Sequence, residues 1–308
     1  MSTPLKPSAA GGASPVFIAL AAIFAGCVMD AVIKGLGATY SAFVISVLRF
    51  LFGGIFAFIA FRAANAQLPD MAGLRDHAMR AIASSVASVT FFHALSILAL
   101  AEATVVAFAA PLMIAPLAAA LLKERLRTLS VVAILVGFAG VVVTVQGEPL
   151  YSADNPRRLE GVISALTAAA TYALSIVLLR QIAQRDSAHT VALLGNVFPG
   201  LFLVGPALYV GANHSGGWPP PADWPLFAVV GACGFTLWFF MTKAYAKAPA
   251  QRLAPLEYSA LIWSALFGFL FFGEIPRAQV FVGATIIAAA VLFAAWDEQR
   301  AKRESLAT

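Results

Sequence analysis

Charge is what this chain has least of. Only 11% of its 308 residues are Asp, Glu, Lys or Arg, against roughly a quarter in soluble domains. With 61% hydrophobic residues and a mean hydropathy of +0.86, the chain cannot cover itself with polar surface. Lipid has to be part of its solvent. Cysteine is scarce too. Cys27 and Cys233 lie far apart in apolar runs, which excludes a disulfide framework and offers no metal-ligand spacing. Catalytic motifs are missing: no His-Glu-x-x-His, no Gly-x-Ser-x-Gly turn, no paired intramembrane aspartates, no Gly-x-x-x-x-Gly-Lys-Ser/Thr loop. These absences put an intramembrane enzyme and an ATP-driven pump low, and imply neither cofactor nor metal. A channel would be expected to repeat a filter or carry rings of like charge, and neither is present. A channel or a non-transporting scaffold remains the alternative to a carrier.

What the chain has is apolar runs, at about 15–34, 40–62, 79–99, 103–122, 128–146, 159–180, 190–211, 225–244, 252–272 and 278–296. Each is close to the ~20 residues a helix needs to cross a bilayer core. The runs are continuous rather than alternating, which argues against a barrel. The expectation is an all-α polytopic membrane protein of ten transmembrane helices. "FAGCVMD" has the outline of a lipoprotein processing site, but apolar sequence resumes beyond Cys27. The first run is therefore read as a retained span.

The basic residues set orientation. If the N-terminus is inside, fifteen of the twenty Lys and Arg fall in inner segments and four in outer ones, with Arg49 inside a span. That asymmetry places both termini in the cytoplasm and makes membrane topology, rather than nucleic acid, the reason for the net charge of +5. The chain also repeats itself. A shift of 150 residues lays "KERLR" (123–127) on "GEIPR" (273–277) and Phe108 on Tyr258. A five-span unit must re-enter from the opposite side, giving two inverted five-helix repeats, a secondary-transporter signature. The expected organisation is a cytoplasmic tail (1–14), a first repeat (15–146), an outer connector (147–158), a second repeat (159–296) and a cytoplasmic tail (297–308).

"VISVLRF", "FFHALSILALAEATVVAFAAPLMIAPLAAALLKERL" and "FFMTKAYAKAPAQRLAPLEYSALIWSALFGFLFFGEIP" together resemble the EamA-like transporters of the drug/metabolite transporter superfamily. The first half departs from the pattern by reading "KER" where a glycine–glutamate pair is usual. The resemblance implies ten spans, a central cavity and carriage of a small organic solute without ATP. "APLEYS…GEIP" resembles the subgroup that includes S-adenosylmethionine and amino-acid-metabolite carriers. The implied partners are a small-molecule substrate and the bilayer, and a bacterial inner membrane is the default location. Nothing in the sequence requires more than a monomer.

Charges inside spans need partners or wet surroundings, so they are the site candidates. Arg49 is the deepest, about 14 Å from the outer end of its span; it reads either as a carboxylate or phosphate anchor or as half of a structural pair. Asp30 and Lys34, four residues apart, read as an intrahelical pair, or Asp30 faces the cavity. His93 suits proton exchange or packing, and Lys243 can snorkel to water. Tyr172, Trp238, Tyr258 and Trp263 lie inside spans rather than at their ends, as cavity-lining or core aromatics. Glu124 and Glu274 read as structural corners, Glu274 close to the start of a helix opened by Pro276. Glu257 is the leading candidate. It follows Pro255 about 7–8 Å into its span and faces Ala107 under the 150-residue shift, so only one half carries it. It would bind a substrate amine or a coupling proton.

Overall fold

A backbone surrounded by hydrocarbon has to satisfy its own hydrogen bonds, and the apolar runs accordingly become helices. The computed structural model describes residues 14–122, 128–146, 149, 155–213, 216–247 and 256–307. Among them no strand occurs. The helices are α1 (Pro15–Gly37), α2 (Ala42–Ala63), α3 (Met71–Ile97), α4 (Leu100–Ala107), α5 (Ala110–Leu122), α6 (Thr128–Gln146), α7 (Arg158–Ile182), α8 (Ala188–Asn213), α9 (Trp224–Lys247), α10 (Ser259–Phe272) and α11 (Ala278–Ala307). Seven stretches are long and apolar enough to cross a bilayer, α4 and α5 counting as one. Three shorter apolar helices, 131–146, 259–272 and 278–294, accompany them.

Local chemistry sets the boundaries. Pro15 opens α1, where its missing N–H costs nothing. Ser41 caps α2 by accepting from Val44 N at 3.3 Å, and Asp70 caps α3 by accepting from Gly73 N at 2.8 Å. That aspartate starts α3 at Met71, eight residues before the apolar run begins at 79, because polar first turns are helical without being apolar. The run 103–122 is not one helix. It breaks at Phe108–Ala109, where Pro111 removes the N–H that would bond the Ala107 carbonyl. Gly273 ends α10 with φ 67°, a left-handed conformation that glycine adopts without steric cost. α11 starts at Ala278, so Pro276 precedes the helix instead of opening it.

Four pairings dominate the packing: α1 with α9, α2 with α8, α3 with α7 and α6 with α11. Each joins a helix before residue 147 to one after residue 157. Small residues let these helices approach. A Cβ at Gly140 of α6 would stand 2.9 Å from the Gly283 carbonyl of α11. Leu51, Ile59, Leu201 and Phe271 are each more than half exposed, forming the apolar outer surface that a bilayer covers.

Candidate functional site: a polar interior between two tied ends

At one end of the bundle, the turn between α3 and α4 leaves orphan carbonyls at a helix C-terminus and orphan N–H groups at a helix N-terminus. Two charges satisfy both. Lys34 Nζ donates to the carbonyls of Leu95 (3.1 Å) and Leu98 (2.6 Å) and pairs with Glu274 at 2.9 Å. Glu274 Oε2 accepts from Leu100 N at 2.8 Å. A cation thus sits at a helix C-terminus and an anion at a helix N-terminus, as the dipoles favour. The expected Asp30–Lys34 pair does not form, because Lys34 finds three acceptors on other elements. Glu274 ties elements together, though at α4 and not at the helix that follows it. Glu124 lies outside the described residues.

Beside this clamp, Arg158 pairs with Glu102, both side chains buried, and donates to the Val145 carbonyl at 2.9 Å. His93 meets Glu160 at 2.6 Å, and Glu160 also accepts from Arg157 Nε at 2.8 Å. This places His93 in a part-exposed ion network. Tyr40 donates to Asp223, and that bond pushes the tyrosine pKa above its ordinary value. The opposite end is held by His77 Nε2 to Asp186 (3.0 Å), Arg185 to Asp76 (2.5 Å) and Thr190 Oγ1 to the Gln67 carbonyl (2.9 Å).

The polar interior lies between these two ends. Arg49 of α2 is buried, its guanidinium 4.4 Å from the Phe50 ring and its Nη1 3.4 Å from Asn196 Oδ1 of α8. It fits because α9 offers Gly234, where a Cβ would stand 2.8 Å from Arg49 Nε. Asp30 of α1 is within electrostatic reach of Arg49. No direct ion pair joins them, and Asp30 Oδ1 is buried without a hydrogen-bond partner.

Arg80 of α3 is also buried. Its Nη1 would stand 3.2 Å from a Cβ at Gly195, the α8 residue next to Asn196. α8 therefore adjoins both guanidinium groups, Arg49 through Asn196 and Arg80 through Gly195. Tyr172 of α7 is within electrostatic reach of Arg80 and of Glu257, and its ring lies 5.8 Å from Trp238 of α9. It keeps 37% of its surface accessible. Glu257 is half-buried and within reach of Tyr258, whose ring meets Phe108 edge-on at 5.2 Å. Phe108 and Tyr258 are the residues that the 150-residue shift superposes, and each sits at an interruption of its helix.

The structure thus brings Glu257, Tyr258, Tyr172 and Trp238 together and sets Arg49 and Asp30 in a neighbouring group. Cys27 lies between the two groups: it is within reach of Asp30, and its thiol is 3.7 Å from the Ala260 carbonyl. Trp263 stands apart, edge-on to Phe24 at 4.9 Å. Lys243 is exposed, over the Phe239 ring at 4.2 Å. Arg252 and Pro255 lie outside the described residues. Sequence reasoning missed Arg80, Asn196, Ser46 and the Glu102–Arg158 pair. The Asp70 cap was the available signal for Arg80: a helix starting at Met71 puts residue 80 more than two turns inside.

Five buried polar atoms in this interior have no protein hydrogen-bond partner: Asp30 Oδ1, Ser46 Oγ, Arg80 Nε, Tyr258 Oη and Ser259 Oγ. Donors and acceptors of this kind, flanked by aromatic rings, suit a small polar guest or ordered water.

Comparison with known proteins leads the same way. The sequence profile of the EamA-like transporter family matches residues 13–146 and again 159–296. An S-adenosylmethionine uptake transporter of Rickettsia bellii is 25% identical over 281 residues, covering 90% of this chain and 91% of the relative. A pseudopaline exporter of Pseudomonas aeruginosa is 25% identical over 282 residues, covering 91% and 95%. A solved crystal structure shares the fold, with a TM-score of 0.61 at 22% identity over 93% of this chain and 98% of its own.

Proposed function

Since the chain belongs to the EamA-like transporter family, a multi-pass membrane family of transporters, we propose that it is a secondary carrier of a small polar organic metabolite, working by alternating access. The observation that carries the proposal is the set of buried, unpartnered polar atoms between helices of both halves, walled by Tyr172, Trp238 and Tyr258. Buried polar groups without partners are costly, and a site built to exchange a hydrated state for a bound solute has a reason to keep them.

The architecture we propose is ten spans in two inverted five-helix halves, both termini cytoplasmic, in a bacterial inner membrane. Two observations support it. The family profile matches twice. The dominant pairings are also symmetric under a five-span shift: α1–α9 exchanges with α3–α7, while α2–α8 and α6–α11 map onto themselves. The substrate class is an amino acid, an amine or an S-adenosylmethionine-like compound. One relative is named for uptake and another for export, so direction does not carry over from them. Glu257 binds a substrate amine or a coupling proton, and Asp30 with Arg49 forms a second charged station along the same path.

The test is transport in proteoliposomes against a panel of amino acids, amines and sulfonium metabolites, with and without a pH gradient. Saturable uptake with counterflow supports a carrier. Failure to move any member under either condition overturns the reading, and single-channel conductance would turn it towards a channel.

A further inference from the structure

Arg80 is the least accounted-for charge in the bundle. Its side chain is 8% exposed, about 14 Å along α3 from Met71. Among the described residues its guanidinium makes no hydrogen bond and no ion pair, and its Nε is buried without a partner. The acid nearest along the chain, Asp76, is bound to Arg185. Asp186, on the adjoining loop, is held by His77 Nε2 at 3.0 Å. Asp30 is within reach of Arg49, not Arg80. Gly195 gives the guanidinium its seat, since a Cβ there would press on Nη1 at 3.2 Å.

Resting on the carrier reading above, we propose that Arg80 is the anion anchor of the transported substrate and that the anion is a carboxylate. A guanidinium presents parallel N–H donors that match the two oxygens of a carboxylate. One guanidinium without a hydrogen bond or ion pair among the described residues matches a monoanion. A phosphate dianion would bring excess negative charge towards Glu257, which shares Tyr172 as a neighbour with Arg80. A substrate with its carboxylate on Arg80 and its amine towards Glu257 lies across the Tyr172 and Trp238 rings, whose faces attract a cation. The site therefore selects zwitterions of the α-amino-acid type over plain amines.

The experiment uses the full-length protein in nanodiscs and paired probes that differ only in the carboxylate: methionine against 3-methylthiopropylamine, S-adenosylmethionine against its decarboxylated form, and phenylalanine against phenethylamine. Binding is read by isothermal titration and thermal shift. We expect at least one carboxylate compound to bind about 10- to 100-fold more tightly than its partner, the range of a hydrogen-bonded charge. Arg80→Gln brings the two members of that pair together, and Arg80→Lys restores part of the preference. The wild-type comparison needs no variant, so the proposal survives a misfolded Arg80→Gln. Equal binding within every pair, or unchanged preference in a folded Arg80→Gln, overturns the anchor. If only carboxylate-free compounds bind, the anchor falls and the carrier reading stands. If nothing binds or moves, both fall.

Discussion

At the Lys34 end of the bundle Lys34, Glu274, Glu102 and Arg158 each have an opposite charge within hydrogen-bond reach, whereas in the interior Arg80 has no hydrogen bond or ion pair among the described residues and Asp30 Oδ1 has no donor. The Glu102–Arg158 pair is as buried as Arg80, so burial is not the difference. The Lys34 end uses charge to join elements: α1, the α3–α4 turn and the end of α10 meet on Lys34 and Glu274. In the interior, Arg49 donates to Asn196 Oδ1 of α8, while Arg80 joins no other element through a hydrogen bond or ion pair among the described residues. A buried ion is tolerated when it is paired and hydrogen-bonded, and the unpaired Arg80 guanidinium is the charge on which the proposed anion anchor rests.

Breaking the tied end should cost stability, and altering the interior should cost selectivity. The largest effect is expected from Arg158→Met, which leaves Glu102 buried without its ion-pair partner. It should lower unfolding stability by about 3–5 kcal/mol, read from melting in detergent. The double variant with Glu102→Leu should recover most of that loss. Glu257→Gln should leave melting close to wild type and reduce transport of an amine-bearing substrate about 10- to 100-fold. Wild-type transport with unchanged pH dependence would remove Glu257 from the site. Glu274→Gln keeps an acceptor for Leu100 N but loses the charge opposite Lys34. About 1–2 kcal/mol of stability should go, with substrate affinity unchanged. Tyr40→Phe should cost about 1 kcal/mol or less. Because the Asp223 bond raises the tyrosine pKa, its contribution is whole below the ordinary tyrosine value. It is lost as pH climbs through the raised one, so the melting gap between variant and wild type should close above about pH 10.

Much of the fold was legible because membrane helices announce themselves in composition. The apolar runs at 15–34 and 40–62 became α1 and α2 with small adjustments, since hydrocarbon leaves the backbone few choices. Partner choice was not legible. The spacing of Asp30 and Lys34 allows an intrahelical pair, yet Lys34 reaches carbonyls more than 60 positions away, and only tertiary structure reveals those. Glu102 sits in an alanine-rich run with its partner 56 residues on. Arg80, at the very start of the 79–99 run, counts in the sequence with the inner-segment basic residues that set orientation, while the helix already starts at 71 and buries it. Glu257, Tyr172, Tyr258 and Trp238 stood out as polar or aromatic side chains in apolar surroundings, and the structure places them together.

The pairing of helices has a consequence for how this chain is made. The dominant partners of α1, α2, α3 and α6 are α9, α8, α7 and α11, all encoded after residue 157. The ribosome therefore releases the first half before the surfaces it will pack against exist. During that interval Arg49, Arg80 and Glu102 face lipid or the insertion machinery without Asn196, Gly195 or Arg158 beside them. Synthesis arrested near residue 150 should leave a quality-control protease a substrate with three exposed membrane charges, and supplying the second half as a separate polypeptide should rescue it.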